Sequence, residues 1–244
     1  MLRILLTNDD GIDAPGLEAL CDAVQRSIGE AVDVTVVAPD RGRSECGHSI
    51  TTGRPLNVLQ RRPRWFAVDG TPVDCVRVAL HSICPDVNAV ISGVNSGANL
   101  GVDLMVSGTF AAAREAAIER VPAMAVSHYR RADVPATWEH VPGWLASTLN
   151  EFMQLASDYR NVDSDPAPMV WNVNLPAVVP QAGEIPPRVR CAVDSRPLRR
   201  TAKRNQSEVS FQSDFHARPR DAETDVARCF SGAITISEVA PHFG

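Results

Sequence analysis

The residues with the clearest chemical capacity are two adjacent carboxylates, Asp9 and Asp10, which follow the apolar run Leu2-Arg3-Ile4-Leu5-Leu6. The stretch Thr7-Asn8-Asp9-Asp10-Gly11 breaks a segment of strand length with an amide, two acids and a glycine. Like charges this close are costly unless a cation or solvent separates them. One chemistry open to them is binding a hard divalent cation through oxygen. The other reading is a plain turn, because Asn, Asp and Gly are the commonest turn formers.

A cation needs further oxygen ligands, and the chain offers Ser44, Asn95 and Asn99 in two later loops. Two carboxylates with a hydroxyl and an amide make an oxygen-only sphere suited to Mg²⁺, Mn²⁺ or Ca²⁺ rather than Zn²⁺. The loop from Gly93 to Gly101 has glycines four apart and matches neither the dinucleotide fingerprint nor the P-loop. It is read either as a flexible connection or as backbone free to approach a phosphate. Ser107-Gly108-Thr109 stands at a predicted helix start, which is an ordinary cap or an anion site. His48 shares a loop with Ser44 and is a candidate to face the site, while the remaining histidines lack metal-ligand spacing and are read as surface or structural. The C-x₅-R thiol phosphatase pattern and the G-x-S-x-G elbow are both absent.

These groups meet only if strands carry them to one sheet edge. Leu2 to Thr7 reads as a strand, Asp13 as a helix cap and Pro15 as a first-turn residue. Leu17, Leu20, Cys21, Val24 and Ile28 follow at helical spacing, and Asp33 to Ala38 is β-branched and strand-like. Residues 49–68 read as a hairpin or excursion, with short β-like pieces at Ile50-Thr51-Thr52 and Trp65-Phe66-Ala67-Val68. Thr71-Pro72 opens a helix to about Ser82, and a strand over 87–92 ends at the glycine-rich loop. A helix over 110–120, a strand over 123–127, a long amphipathic helix from Val141 and a strand over 169–174 complete an alternating series. The pattern predicts a three-layer α/β fold with a mostly parallel sheet, in which ligands gather at the carboxyl ends of the strands. From Leu175 the composition turns proline-rich, with short β-like pieces at 189–193, 209–211 and 234–236. The expected division is a catalytic α/β domain over 1–176 and a β-rich extension over 177–244, a candidate oligomerisation arm.

Composition narrows the function classes. A net charge of −5 offers no general attraction for nucleic acid or anionic membrane, so any phosphate site must be local. The six cysteines are scattered without a C-x-x-C pair, which suits free thiols in a reducing compartment. There is no signal peptide pattern and no apolar run of spanning length, so the expected location is cytoplasmic.

Taken in order, Thr7 to Gly11 with Ala14-Pro15-Gly16, Ala38-Pro39-Asp40-Arg41 through Ser44, Ser92 through Gly101, and Ser107-Gly108-Thr109 closely resemble the SurE (survival protein E) family. Gly70-Thr71-Pro72 with Asp74-Cys75-Val76, and Asn172-Val173-Asn174-Leu175-Pro176, also fit its pattern. The resemblance covers roughly residues 1–176. It implies a Rossmann-like fold with a β-rich extension, and a metal-dependent phosphatase of nucleoside 5′- and 3′-monophosphates, some members also trimming short polyphosphate. Carried over, it puts one divalent metal, Mg²⁺ or Mn²⁺ with Ca²⁺ also admissible, on Asp9, Asp10, Ser44 and Asn95. It makes Asp9 and Asp10 the catalytic pair and gives the substrate phosphate to Asn99, Ser107, Gly108 and Thr109. It also implies a homodimer or homotetramer built through swapped C-terminal elements.

Two departures stand out. His48 replaces an asparagine expected near the phosphate, where it could donate a hydrogen bond or add a titratable group. The family's terminal helix has no counterpart before Gly244. Two rival readings use the same loops without this chemistry: a non-catalytic nucleotide-binding regulator, and an assembly protein with a degenerate site.

Overall fold

The structure, a computed structural model, describes residues 2–29, 32–44, 46–160 and 167–242, so Glu45 of the Ser44–Ser49 motif lies outside it. The elements in chain order are β1 (Leu2–Thr7), α1 (Pro15–Ile28), β2 (Val32–Pro39), β3 (Val58–Arg62), β4 (Trp65–Val68) and α2 (Pro72–Val78). There follow β5 (Ala89–Ser96), α3 (Gly108–Ile118), β6 (Ala123–His128), α4 (Val141–Arg160) and β7 (Val170–Leu175). The chain closes with β8 (Arg188–Arg190), β9 (Thr201–Asn205), β10 (Glu208–Gln212), α5 (Asp225–Phe230) and β11 (Ile234–Val239).

Among the described residues, nine strands make one sheet in the order β3-β4-β2-β1-β5-β6-β7-β11-β8. The pairings from β4 through to β7 are parallel, and β3 and β11 join antiparallel. The order reverses at β1, whose neighbours are β2 on one side and β5 on the other. This is a mixed α/β fold with a large, mostly parallel central sheet.

The three layers follow from the period-two alternation of the strands. Ile4, Leu6, Val36, Ile91, Met124 and Trp171 pack on the face covered by α1 and α4, against Leu17, Leu20, Val24, Leu145 and Phe152. Leu5, Val37, Val90 and Ala125 turn to the other face, under Cys75 and Val76 of α2 and the alanines of α3. Each fully buried leucine here contributes about 1.5–3 kcal/mol relative to exposure. Alanine at 111, 112, 113, 116 and 117 lets α3 sit close to the sheet, and all five are essentially buried.

Several boundaries differ from the sequence expectation. The cap of α1 is Ala14 rather than Asp13; Pro15 sets the first turn, and Asp13 instead faces Arg61 at 3.4 Å. Ile50-Thr51-Thr52 is not a strand, and the hairpin partner of β4 is Val58–Arg62. Thr51 lies beside α2, its hydroxyl donating to Asp74 at 2.6 Å. Strand β5 continues through Gly93 to Ser96, with a register shift between Ser92 and Asn95, where the sequence suggested loop. The C-terminal segment holds a helix, α5, and adds β11 and β8 to the main sheet beside β7. The β9–β10 hairpin stands apart, with every residue of both strands exposed.

Candidate functional site

Asp9 and Asp10 leave the carboxyl end of β1 at the point where the strand order reverses, the crevice in which ligands of open α/β sheets bind. The Asn8 side chain closes the bend, donating to the Gly11 carbonyl at 2.8 Å and accepting from the Gly11 N–H at 3.2 Å. Gly11 has φ +104°, a conformation an L side chain rarely adopts. The stretch is therefore a real turn as well as a site candidate, and the two readings coexist.

Two backbone links join the acids to the segments that contain the other predicted ligands. The Arg43 N–H donates to the Asp9 carbonyl at 2.7 Å, one residue before Ser44. The Ser96 N–H donates to Asp10 Oδ2 at 3.0 Å, one residue after Asn95. The Asn95 amide nitrogen donates to the Gly97 carbonyl at 2.9 Å, so Oδ1 is the atom it would offer a cation.

The start of α3 closes the site from the other side. Thr109 donates from its hydroxyl to Asp9 Oδ1 at 2.6 Å. Gly108 lies so close that a Cβ there would fall 2.9 Å from Asp9 Cβ and 3.0 Å from Oδ2. Ser107 is the cap, its hydroxyl oxygen accepting from Phe110 N–H at 3.0 Å, as its position in the sequence suggested. The Asn99 side chain reaches Ser127 Oγ at 2.8 Å and Thr109 Oγ1 at 3.5 Å. Asn99, Ser107, Gly108 and Thr109 thus form one buried wall against Asp9.

Electrostatics sets Asp9 apart. Burial pushes its carboxyl up to about 6; the Thr109 hydroxyl opposes the rise and the charge of Asp10 adds to it. A desolvated carboxylate beside a second acid is short of positive charge, and a divalent cation is the group that would supply it. Among the described residues no cluster of three or more His, Cys, Asp or Glu converges. The oxygen donors predicted from the sequence, two carboxylates with a hydroxyl and an amide, suit a hard cation rather than zinc.

His48 points elsewhere. Its Nδ1 accepts from Arg114 Nε at 3.0 Å and its Nε2 meets Glu115 at 2.8 Å, both on α3. Burial works to raise the Glu115 carboxyl, but bonds from His48 and Arg77 outweigh it and hold it below the usual range. His48 thus fixes the Ser44 loop onto α3.

Asn172 and Asn174 are part of the support that motif reading did not assign. Both donate from Nδ2 to the Asn99 carbonyl, at 3.0 and 2.9 Å, and Asn174 Oδ1 accepts the Asn99 N–H at 2.9 Å. The signal was present as two amides at period-two spacing inside the buried strand Trp171-Asn172-Val173-Asn174-Leu175. A cavity of about 740 Å³ between the C-terminal part of α4 and Trp171 includes none of these residues.

An open, mostly parallel α/β sheet with paired acids facing a helix start across its switch point defines a Rossmann-like protein with an oxygen-rich edge site. The pattern of the family described as Survival protein SurE matches residues 4–193, and this chain belongs to the SurE family. A protein of Nostoc sp. is 40% identical over 239 residues, covering 98% of this chain and 99% of its own length. A protein of Paramagnetospirillum magneticum named 5′-nucleotidase SurE is 35% identical over 243 residues, covering 97% of this chain and 88% of its own. The crystal structure of the SurE protein from Aquifex aeolicus aligns with a TM-score of 0.81 at 25% identity, over 99% of this chain and 94% of that one.

Proposed function

We propose that this chain is a divalent-metal-dependent phosphomonoesterase that hydrolyses nucleoside 5′- and 3′-monophosphates, with short polyphosphate as a further candidate substrate. The observation that carries the reading is the buried Asp9 beside Asp10, set against the start of α3 at the sheet's switch point. Relatives named 5′-nucleotidase SurE support the substrate class.

Asp9, Asp10, Ser44 and Asn95 would hold one Mg²⁺ or Mn²⁺, with Ca²⁺ as a substitute. When bound, such an ion supplies Lewis-acid neutralisation of phosphate charge and lowers the pKa of a coordinated water. The chain's own groups do the rest. Asp9 is held in place by Thr109, while Asp10, tethered by the Ser96 N–H, is the more accessible acid for orienting an attacking water. The Ser107 hydroxyl caps α3 through its oxygen, so its hydrogen can be given to a phosphate oxygen. Gly108 lets backbone approach closely, and the helix start favours an anion. Asn99, braced by β7, keeps one amide hydrogen on Ser127 and would give the other, now in only a 3.5 Å contact with Thr109, to the transferring group. His48, bonded through both ring nitrogens to Arg114 and Glu115, acts on the site only indirectly, by steadying the Ser44 loop on α3.

The free thiols fit the expected cytoplasmic location, and no described helix is long and apolar enough to cross a membrane. Residues 177–244 are assigned as an extension whose exposed β9–β10 hairpin serves as the oligomerisation arm of a homodimer or homotetramer. The test is phosphate release from AMP and GMP with Mn²⁺ or Mg²⁺, compared with EDTA. Release that depends on metal is the expected result. Tight AMP binding with no release under any metal would favour the nucleotide-binding regulator instead.

A further inference from the structure

A second cavity, of about 480 Å³, opens on the same edge of the sheet as the acids and is lined by Tyr129, Arg131, Asp133, His216, Arg220 and Phe230. Its volume falls in the range of small-molecule sites. Tyr129 directly follows β6, and its N–H donates to the Leu175 carbonyl at the carboxyl end of β7. Ser127, which receives the Asn99 amide, lies two residues earlier on β6. Ala98 and Leu100, on either side of Asn99, pack in the cluster that contains Tyr129, Phe215 and Phe230. One short loop therefore has the phosphate wall on one side and this cavity on the other.

The lining has the chemistry of a base-binding surface. Tyr129 and Phe230 are stacked, with centroids 4.6 Å apart and planes 10° from parallel. The Arg220 guanidinium lies 4.8 Å from the centre of the Phe230 ring. The Tyr129 hydroxyl meets His216 Nδ1 at 2.5 Å, so Nε2 is the ring nitrogen that can meet a partner. Phe215, Tyr129 and Phe230 on their own would be a small core that anchors the C-terminal segment. Around that core Arg131 and Asp133 pair at 2.7 Å and Arg220 donates to the His216 carbonyl at 2.8 Å, which fixes these exposed groups as a polar rim to the opening. Aromatic faces, a guanidinium plane and hydrogen-bonding edges are what a planar heteroaromatic ligand uses.

We propose that this cavity is the subsite for the nucleobase of the monophosphate whose phosphate lies against Asp9 and Thr109. The inference rests on the nucleotidase reading for its ligand, and its test separates the two. Steady-state kinetics on the full chain would compare AMP with p-nitrophenyl phosphate, an ester without a base, for wild type, His216→Ala and Arg220→Ala. Calorimetry would follow adenosine, which has the base and no phosphate. Each variant is expected to lower the AMP to p-nitrophenyl phosphate ratio of kcat/KM by about tenfold, as for loss of one contact to a base, and to weaken adenosine binding similarly. A wild type that cleaves both esters, with ratio and adenosine affinity within about twofold in both variants, overturns the subsite and leaves the nucleotidase reading standing. A wild type that cleaves neither ester yet binds adenosine in a His216-dependent way supports the cavity and removes the nucleotidase reading.

Discussion

Gly108→Ala is a sharp perturbation because it adds one methyl group directly against the buried acid. The new Cβ would sit 2.9 Å from Asp9 Cβ and 3.0 Å from its Oδ2. Carbon atoms pack comfortably at about 3.5–4.0 Å, so either α3 or Asp9 must move by several tenths of an ångström. Strain of this kind costs about 1–3 kcal/mol of stability when the surroundings yield. The catalytic cost should be larger, since a displacement near 1 Å at a reacting group can cost roughly a hundredfold. Gly143→Ala is the matched control, because that glycine lies in α4 with nothing within 4 Å of the added Cβ. There the same change should stabilise by about 0.4–1 kcal/mol and leave turnover alone. Urea unfolding would measure stability, and phosphate release from AMP with Mn²⁺ would measure activity. Gly108→Ala with wild-type kcat/KM would refute the claim that α3 and Asp9 must be held in this register.

The bracing of Asn99 can be tested at Asn174. Asn174→Ala leaves the Asn99 N–H without its acceptor, so a stability loss of about 1–3 kcal/mol is expected, with kcat/KM for AMP at least about tenfold lower. Full activity would show that the β7 amides are dispensable. Acid sensitivity should come from buried His128 and half-buried His140, whose Nε2 atoms are 2.7 Å apart. Burial first, then the charge of Arg130, depresses His128 to about 3 and His140 to about 4. The unfolded chain protonates these rings near 6.5 while the folded chain does not, so stability is intact above about 6.5 and falls as pH drops toward 4. The slope for His128 approaches roughly 1.4 kcal/mol per pH unit, and His128→Gln should flatten it; equal slopes in the two proteins would contradict the assignment. On the hairpin, Phe211 is 69% exposed and Val209 is 52% exposed on the same face of β10. Phe211→Glu is expected to lower the mass seen by light scattering, and an unchanged assembly would remove the hairpin from the interface.

Legibility in the sequence tracked how local each signal is. The β1-α1-β2 unit, the Ser107 cap and the placement of Asp9 and Asp10 at a strand end depend on near neighbours and on period, and all are found in the structure. From the sequence alone strand β5 ends early, because Gly93 and Asn95 read as loop residues; pairing of Asn95 with Ser127 and of Ser96 with His128 on β6 overrides that propensity. His48 looked as well placed to face the acids as to turn away. Its choice depended on Glu115, which lies 67 residues away and is buried only once α3 packs. Asn172 and Asn174 carried a visible pattern, but their target is a backbone carbonyl, which no motif marks. The short strands of the C-terminal segment gave no hint of the sheet they join, since β11 and β8 take their places from tertiary pairing with β7.

The central claim is that Asp9 and Asp10 perform metal-dependent phosphomonoester hydrolysis. Its most direct test is phosphate release from AMP by wild type, Asp9→Asn and Asp10→Asn in saturating Mn²⁺, with circular dichroism to confirm the fold. Either substitution should lower turnover by at least about a thousandfold in a folded protein, and EDTA should do the same to wild type. Wild-type turnover in either variant would contradict the claim.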